Sequence, residues 1–230
     1  REIKTLSPPV SPAGAVQGKR ALFIPALGGN IADAQYQAIV EKGLAKLSDL
    51  GLDIDVALDD PTQFQPDIAT QMMTSNLAAR VRQMSVEAQQ HLGPGLQSLL
   101  GEEEFKSDGV RLQTDAIDRS RTYDRLELVL SNYDFVLTPT LTAPPPLADP
   151  NSDQSVTING NKERINKWWT HLSIANLTGH PAISIPCGID ANDLPVGLHA
   201  IGGWDRDSDL VSLAFASITC FDWTERQPVY

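Results

Sequence analysis

The sequence predicts an α/β layer architecture, and two observations carry that reading. Short apolar runs of strand length alternate with longer segments whose apolar residues recur at helical spacing, first over residues 20–58 and again over residues 133–220. The composition agrees: 230 residues, 41% hydrophobic and 20% charged, make enough ordinary globular chain for one large domain with its own core. The chain divides into a linker or arm, residues 1–18, and a single α/β domain, residues 19–230.

Residues 6–18 are rich in Pro, Gly and Ala with little periodicity, so they are expected to become ordered only against a partner surface. Arg20-Ala-Leu-Phe-Ile-Pro25 is a short apolar run ending at a proline, the pattern of a buried strand, and Gly28-Gly29-Asn30 is its turn. Residues 32–50 place Ala34, Ala38, Ile39, Leu44 and Leu47 close to helical spacing and stop at Gly51. Leu52-Asp-Ile-Asp-Val-Ala-Leu58 follows as a second strand, which completes a βαβ unit.

Residues 66–92, with Met72, Met73, Leu77, Val81 and Met84, read as one helix or two, broken by Gly93-Pro94-Gly95. Residues 110–130 are a further helix in which Arg119, Arg121 and Arg125 among Asp and Glu predict a solvated, salt-bridged face. Neither region has catalytic spacing. Tyr133-Asp-Phe-Val-Leu-Thr-Pro139 is a strand running into a proline-rich turn, residues 151–160 a polar loop with hairpin character, and residues 166–177 a helix. Ala182-Ile-Ser-Ile185 and Val196-Gly-Leu-His-Ala-Ile201 are strands, and residues 207–220 an amphipathic helix capped by Asp207 or Ser208.

The net charge of −11 argues against a surface that neutralises phosphates, so neither nucleic-acid nor membrane partners are expected. No apolar run approaches the roughly 18 residues that span a bilayer, and no signal-peptide core follows Arg1-Glu-Ile-Lys. The absence of an initiator Met points to Arg1 not being the natural start. Cys187 and Cys220 lack the paired spacing of a zinc site or redox dithiol and read as buried reduced thiols, which fits a cytoplasmic protein.

The most distinctive stretch is Asn176-Leu-Thr-Gly-His-Pro-Ala-Ile-Ser-Ile-Pro-Cys-Gly188, followed by Leu194-Pro-Val-Gly-Leu198 and preceded by the strand ending Thr138-Pro-Thr140. Together with Arg121-Thr-Tyr-Asp124 upstream, these pieces in this order resemble the closing part of the amidase signature hydrolases. The resemblance implies part of an amidase-signature-like mixed sheet flanked by helices, and a serine amidase that cleaves carboxamide C–N bonds with neither metal nor cofactor. It also implies a nucleophilic serine, a second serine joined through a cis peptide, a lysine base, and a glycine-rich oxyanion loop. This chain offers no Gly-Ser-Ser-Gly-like run; Ser11 near Gly14 and Ser107 near Gly109 have no placed base, so no catalytic residue is assigned. The chain alone is expected to be inactive, with an N-terminal part of the same amidase as its partner and a small-molecule amide as substrate.

By the same resemblance the loop after Thr138-Pro-Thr140 borders the acyl pocket, which makes Thr138, Thr140 and Leu141 pocket candidates beside a plain role as a stiff connection. Trp168 and Trp169 are candidates as well, since adjacent helical positions point about 100° apart and one ring can enter the core while the other faces a groove. In the branch that transfers ammonia from glutamine for tRNA charging, an Asp seven residues before the Asn grips the substrate's amino group. Trp169 holds that place here, which favours amides of apolar or aromatic character. Asn176, Thr178 and Gly179 read as a structural motif, a helix end turning through a left-handed glycine with short polar side chains on local main-chain groups.

Other chemistries fare worse. Cys187 with His171, His180 or His199 makes a Cys–His hydrolase on paper, but Pro-Cys-Gly at a strand end reads as a small buried residue. The four histidines have no helical-spacing partner that suggests a metal, and Gly28-Gly29-Asn30 lacks the Lys-Ser/Thr ending of a phosphate loop. Two alternatives stand beside the amidase: a non-catalytic binding or scaffolding protein of the same fold, its exposed sheet covered by homodimerisation, and an amidotransferase subunit, disfavoured by Trp169 and the acidic surface.

Overall fold

A computed structural model describes residues 14–93, 108–146 and 155–221. Ser11, Ser107, Pro94-Gly95, residues 1–13 of the arm and residues 151–154 of the polar loop lie outside them. Among the described residues the strands are β1 (Arg20–Phe23), β2 (Asp53–Val56), β3 (Phe135–Pro139), β4 (Ser155–Ile158), β5 (Asn161–Arg164), β6 (Ala182–Ile189) and β7 (Pro195–Gly202). The α-helices are α1 (Ala34–Asp49), α2 (Pro66–Arg82), α3 (Val86–Gln90), α4 (Gly109–Leu130), α5 (Ser173–Thr178) and α6 (Asp207–Phe221).

Five strands form one mixed sheet in the order β2-β1-β3-β7-β6. β1 pairs in parallel with β2 and β3, as a βαβ unit requires, while β7 runs antiparallel to both β3 and β6. Alternation along the strands divides two cores between the faces. Ala21, Phe23, Phe135, Leu137, Leu198, Ala200, Ile185 and Cys187 join Val40, Leu44 and Leu47 of α1 and Leu210, Leu213 and Ala216 of α6. Leu22, Ile24, Val136 and Ile201 pack on the other side against Ile68 of α2, Leu126 and Val129 of α4, and Ile174 and Leu177 of α5. A sheet with helices on both faces is the predicted layer order.

Residues 14–18 lie against the domain rather than away from it. Val16 is 1% exposed in the α1/α6 core and the Gly18 N–H donates to Gly51 O. For this end of the arm the partner surface is the domain itself.

The expected hairpin is β4–β5, turning through Asn159 and Gly160 with φ of 50° and 78°, the pair of left-handed residues that a two-residue hairpin favours. It docks on α1, whose cap Asp33 accepts from the Asn159 N–H while Asn159 Oδ1 accepts from the Ala34 N–H. The segment over residues 66–92 is two helices, with Ser85 capping the second through the Ala88 N–H. The expected helix over residues 166–177 is broken into 3-10 turns at Ile165–Lys167 and Thr170–Leu172 before α5 begins. At this break Thr142 donates its N–H to the Trp168 carbonyl and its hydroxyl to that of Lys167, two carbonyls that a continuous helix would direct at its own N–H groups.

Candidate functional site

Two hollows open on the α2/α4/α5 side of the sheet, and they meet at Asn176. The larger, about 400 Å³, is lined by Met72, Met73 and Asn76 of α2, Arg119 of α4, Trp169, and Ser173, Asn176 and Leu177 of α5. The smaller, about 270 Å³, is lined by Leu172, Ala175 and Asn176 together with Ala182, Ile183 and Ser184 of β6 and His199 of β7.

The turn that presents Asn176 is held from both sides. Gly179 adopts φ 79°, ψ 16°, and its N–H closes on Ala175 O, the left-handed helix end that Asn-Leu-Thr-Gly predicts. Thr178 donates to Ile174 O at 2.8 Å, a local main-chain bond as expected, whereas Asn176 is exposed at the lip of both hollows. Helix α4 grips the turn through a stripe at i, i+4, i+8. Arg119 donates from Nε to Leu177 O at 2.7 Å, the Tyr123 ring lies 5.1 Å from that of His180, and Glu127 Oε1 sits 2.7 Å from His180 Nε2. His180 Nδ1 is 2.9 Å from Thr178 Oγ1, so the clamp runs back into the turn. Arg121 forms the predicted solvated ion pair with Asp118 at 2.7 Å; Arg119, expected on that same solvated face, instead reaches inward to a main-chain carbonyl.

Below the turn the sheet carries a polar row. Thr138, His199 and Ser184 stand opposite one another across β3, β7 and β6. Thr140 and Ser184 meet over the intervening strand, their hydroxyls 2.8 Å apart. That meeting needs the gap at Gly197, where a Cβ would lie 2.6 Å from Thr140 Oγ1 and 2.9 Å from Ser184 Oγ. Behind Thr138, the buried His171 directs Nδ1 to Pro139 O at 2.8 Å and Nε2 to Asn30 O at 2.7 Å. Burial lowers its pKa, with the two carbonyls pulling the other way. His199 is 3% exposed, its Nδ1 has no hydrogen-bond partner among the described residues, and burial, helped by His171, pushes its pKa down to about 4.

The pocket candidates separate accordingly. Trp169 lines the larger hollow. Trp168 stacks edge-on against it at 6.2 Å and donates from Nε1 to Ala143 O, as a brace for the loop after β3. Thr138 directs its hydroxyl at His171, Thr140 at Ser184, and Leu141 is half-buried; none of the three lines either hollow. Cys187 is 4% exposed with its thiol on Val196 O, and burial raises its pKa to about 12, opposite to what a nucleophile needs. The Gly28-Gly29-Asn30 turn gives its Gly28 N–H to Asp60, and no group of three or more potential metal ligands occurs among the described residues. No helix among them is long and apolar enough to cross a membrane.

The amidase family profile matches residues 14–211, most of the chain. The chain belongs to the amidase family. Two curated relatives are glutamyl-tRNA(Gln) amidotransferase subunits A, from Thiobacillus denitrificans (31% identical over 121 residues, 53% of this chain and 23% of the relative) and from Microcystis aeruginosa (42% over 55 residues, 24% and 11%). Among solved structures, a bacterial aryl acylamidase of the amidase signature family superposes with a TM-score of 0.75 at 19% identity, over 93% of this chain and 47% of that one. This amidase-family chain thus spans about half the length of that neighbour and matches less than a quarter of the two curated relatives. Its five-stranded mixed sheet flanked by helices is the part of an amidase-signature-like sheet expected from the Thr138–Leu198 motifs.

Proposed function

We propose that this chain is the C-terminal, substrate-lining part of a serine amidase that hydrolyses the C–N bond of apolar or aromatic carboxamides. One observation carries the reading: Trp169, at the place where the resembling amidotransferases keep an amine-gripping Asp, forms the wall of the larger hollow together with Met72 and Met73. An indole face and two thioethers favour a ring or alkyl body, and the one charged side chain on the wall is the Arg119 cation, with no carboxylate to hold an ammonium group. The chemistry falls to the serines and lysine of an N-terminal amidase part, with the present chain supplying binding surface, in the reducing cytoplasm.

The test is reconstitution. The chain mixed with an N-terminal amidase segment carrying the lysine and the Gly/Ser-rich loop is expected to hydrolyse aryl amides, whereas the 230-residue chain alone is silent. Turnover by this chain alone overturns the proposal. The amidotransferase reading keeps one specific support, the names of the curated relatives. Glutamine hydrolysis at rates matching aryl amides favours it; a Trp169→Asp variant that gains glutamine turnover and loses aryl amide turnover favours the amidase. Should no N-terminal part restore activity and the chain self-associate instead, the non-catalytic scaffold takes over.

A further inference from the structure

The smaller hollow has no role in that reading, yet its chemistry is specific. Its walls carry no Lys, Arg, Asp or Glu, so it offers no counter-charge to an ion. What it offers is a hydroxyl, a carboxamide and an imidazole. The Ser184 hydroxyl shares only one hydrogen bond with Thr140 and so keeps further capacity. Asn176 stands exposed at the lip, and buried His199 keeps Nδ1 unpartnered. A buried polar atom without a partner is uncommon and calls for an explanation. The larger hollow, on the other side of Asn176, carries the Trp169 ring and the Met72 and Met73 thioethers, beside Asn76 and Arg119.

We propose that the hollow between α5 and β6 is a subsite for an uncharged hydrogen-bonding group, a carboxamide or its equivalent, on the molecule whose apolar body fills the Trp169 hollow, with Asn176 touching both parts. This rests on the amide-binding reading above and names its substrate class: two-ended molecules with an apolar or aromatic body and a neutral polar head. Burial keeps His199 neutral at physiological pH, so its ring contributes one donor and one acceptor. Asn176 and Ser184 add both capacities again, which suits a primary or secondary amide; a carboxylate, which can only accept, leaves the acceptors unpaired and enters without a counter-charge. His199 is here a binding residue, with no part in bond cleavage.

Binding to the full chain tests this without any catalytic segment. The probes are 3-phenylpropionamide, 3-phenylpropionate and phenethylamine, three molecules that share a phenyl body and differ in the charge of the head. Two signals are followed: the His199 side-chain nitrogens by histidine-selective NMR, assigned with a His199→Gln variant, and tryptophan fluorescence assigned to Trp169 with Trp169→Phe. The amide is expected to shift the His199 signals saturably and to bind about tenfold or more tightly than either charged probe. Ser184→Val, which replaces the hydroxyl with a branched apolar group, is expected to abolish the His199 response while leaving that of Trp169. A Trp169 response without a His199 response, or equal binding of all three probes, overturns the subsite and leaves the amidase reading standing. Silence of both signals overturns both. Circular dichroism of Ser184→Val guards against simple unfolding, and Ser184→Ala, which keeps the hollow open, is expected to weaken the amide about tenfold if the variant with Val does not fold.

Discussion

The two faces of the sheet come from the same strands yet have been put to different uses. Toward α1 and α6, every strand residue in the core is apolar and closed off, from Ala21 and Phe23 through Leu137 and Ala200 to Cys187. Toward α2, α4 and α5 the same strands begin apolar, with Leu22, Val136 and Ile201, and then turn polar at Thr138, Thr140, His199 and Ser184, the last two lining the smaller hollow. In the reading proposed above, stability resides mainly on the first face and specificity on the second. A closed apolar face gains from every methylene it buries, whereas polar groups on an interior face are tolerated only as far as they find partners.

The largest expected effect belongs to the sealed face. Phe135, 1% exposed among α1/α6-side neighbours, is expected to destabilise by about 3–5 kcal/mol on Phe135→Ala, read as a shift of the urea midpoint at unchanged slope. An equally large loss from Ser184→Ala, on the open face, breaks the comparison. Next comes acid sensitivity between pH 7 and pH 4, which is expected to trace mainly to the open face. His199 has a folded-state pKa of about 4 against an ordinary 6.5, so between those values the unfolded chain binds the extra proton. Stability from this group is therefore whole above pH 6.5 and drains as pH falls toward 4, by about 3 kcal/mol over the window. His171, also shifted down, adds to the same slope. Urea unfolding between pH 7 and pH 4 is expected to flatten in His199→Gln to the part His171 contributes; an unchanged slope places the acid sensitivity elsewhere.

How far this division was legible in the sequence depends on what each residue's environment contains. Elements with local causes were readable: Gly179 marked its left-handed helix end, the apolar runs their strands, and the polar loop over residues 151–160 a hairpin whose second strand runs on to Arg164. The alternation along Val196-Gly-Leu-His-Ala-Ile201 even set Gly197 and His199 on one side of β7. What it left open is register, the pairing that puts Ser184 and Thr138 opposite His199. Register depends on turns and packing remote from the strand. Long-range main-chain bonds were hidden for the same reason: nothing near Trp168 announces that Thr142, 26 positions earlier, donates to its carbonyl where the expected helix is interrupted. Arg119 looked like its neighbour Arg121, and only the approach of α5 gives it a carbonyl to hold. Trp169 was singled out by family resemblance, and the structure adds the hollow it lines.

Gly197 offers a sharper cut through the open face. A methyl group at this position meets Thr140 Oγ1 at 2.6 Å and Ser184 Oγ at 2.9 Å, so the two hydroxyls must part or the strands must shift. Gly197→Ala is expected to destabilise by about 1–3 kcal/mol, the usual range for overpacking, even though alanine suits an extended strand better than glycine does. If denaturant unfolding shows instead a gain in stability, the hydroxyl bridge over β7 is not held as tightly as its geometry indicates.

The smallest effect isolates that bridge. Thr140→Val and Ser184→Ala each remove one hydroxyl of the 2.8 Å pair, and the double variant removes both. A neutral side-chain hydrogen bond contributes about 0.5–1.5 kcal/mol net, so the double-mutant cycle is expected to return a coupling in that range. Ser184 is exposed, which lets water replace Thr140 and draws the value toward the lower end. A pair taken across the two faces, Leu137→Ala with Ser184→Ala, shares no contact and is expected to add without coupling. Coupling there as large as in the hydroxyl pair means that the sheet transmits packing strain from the sealed face to the site, so that the two faces cannot be altered independently.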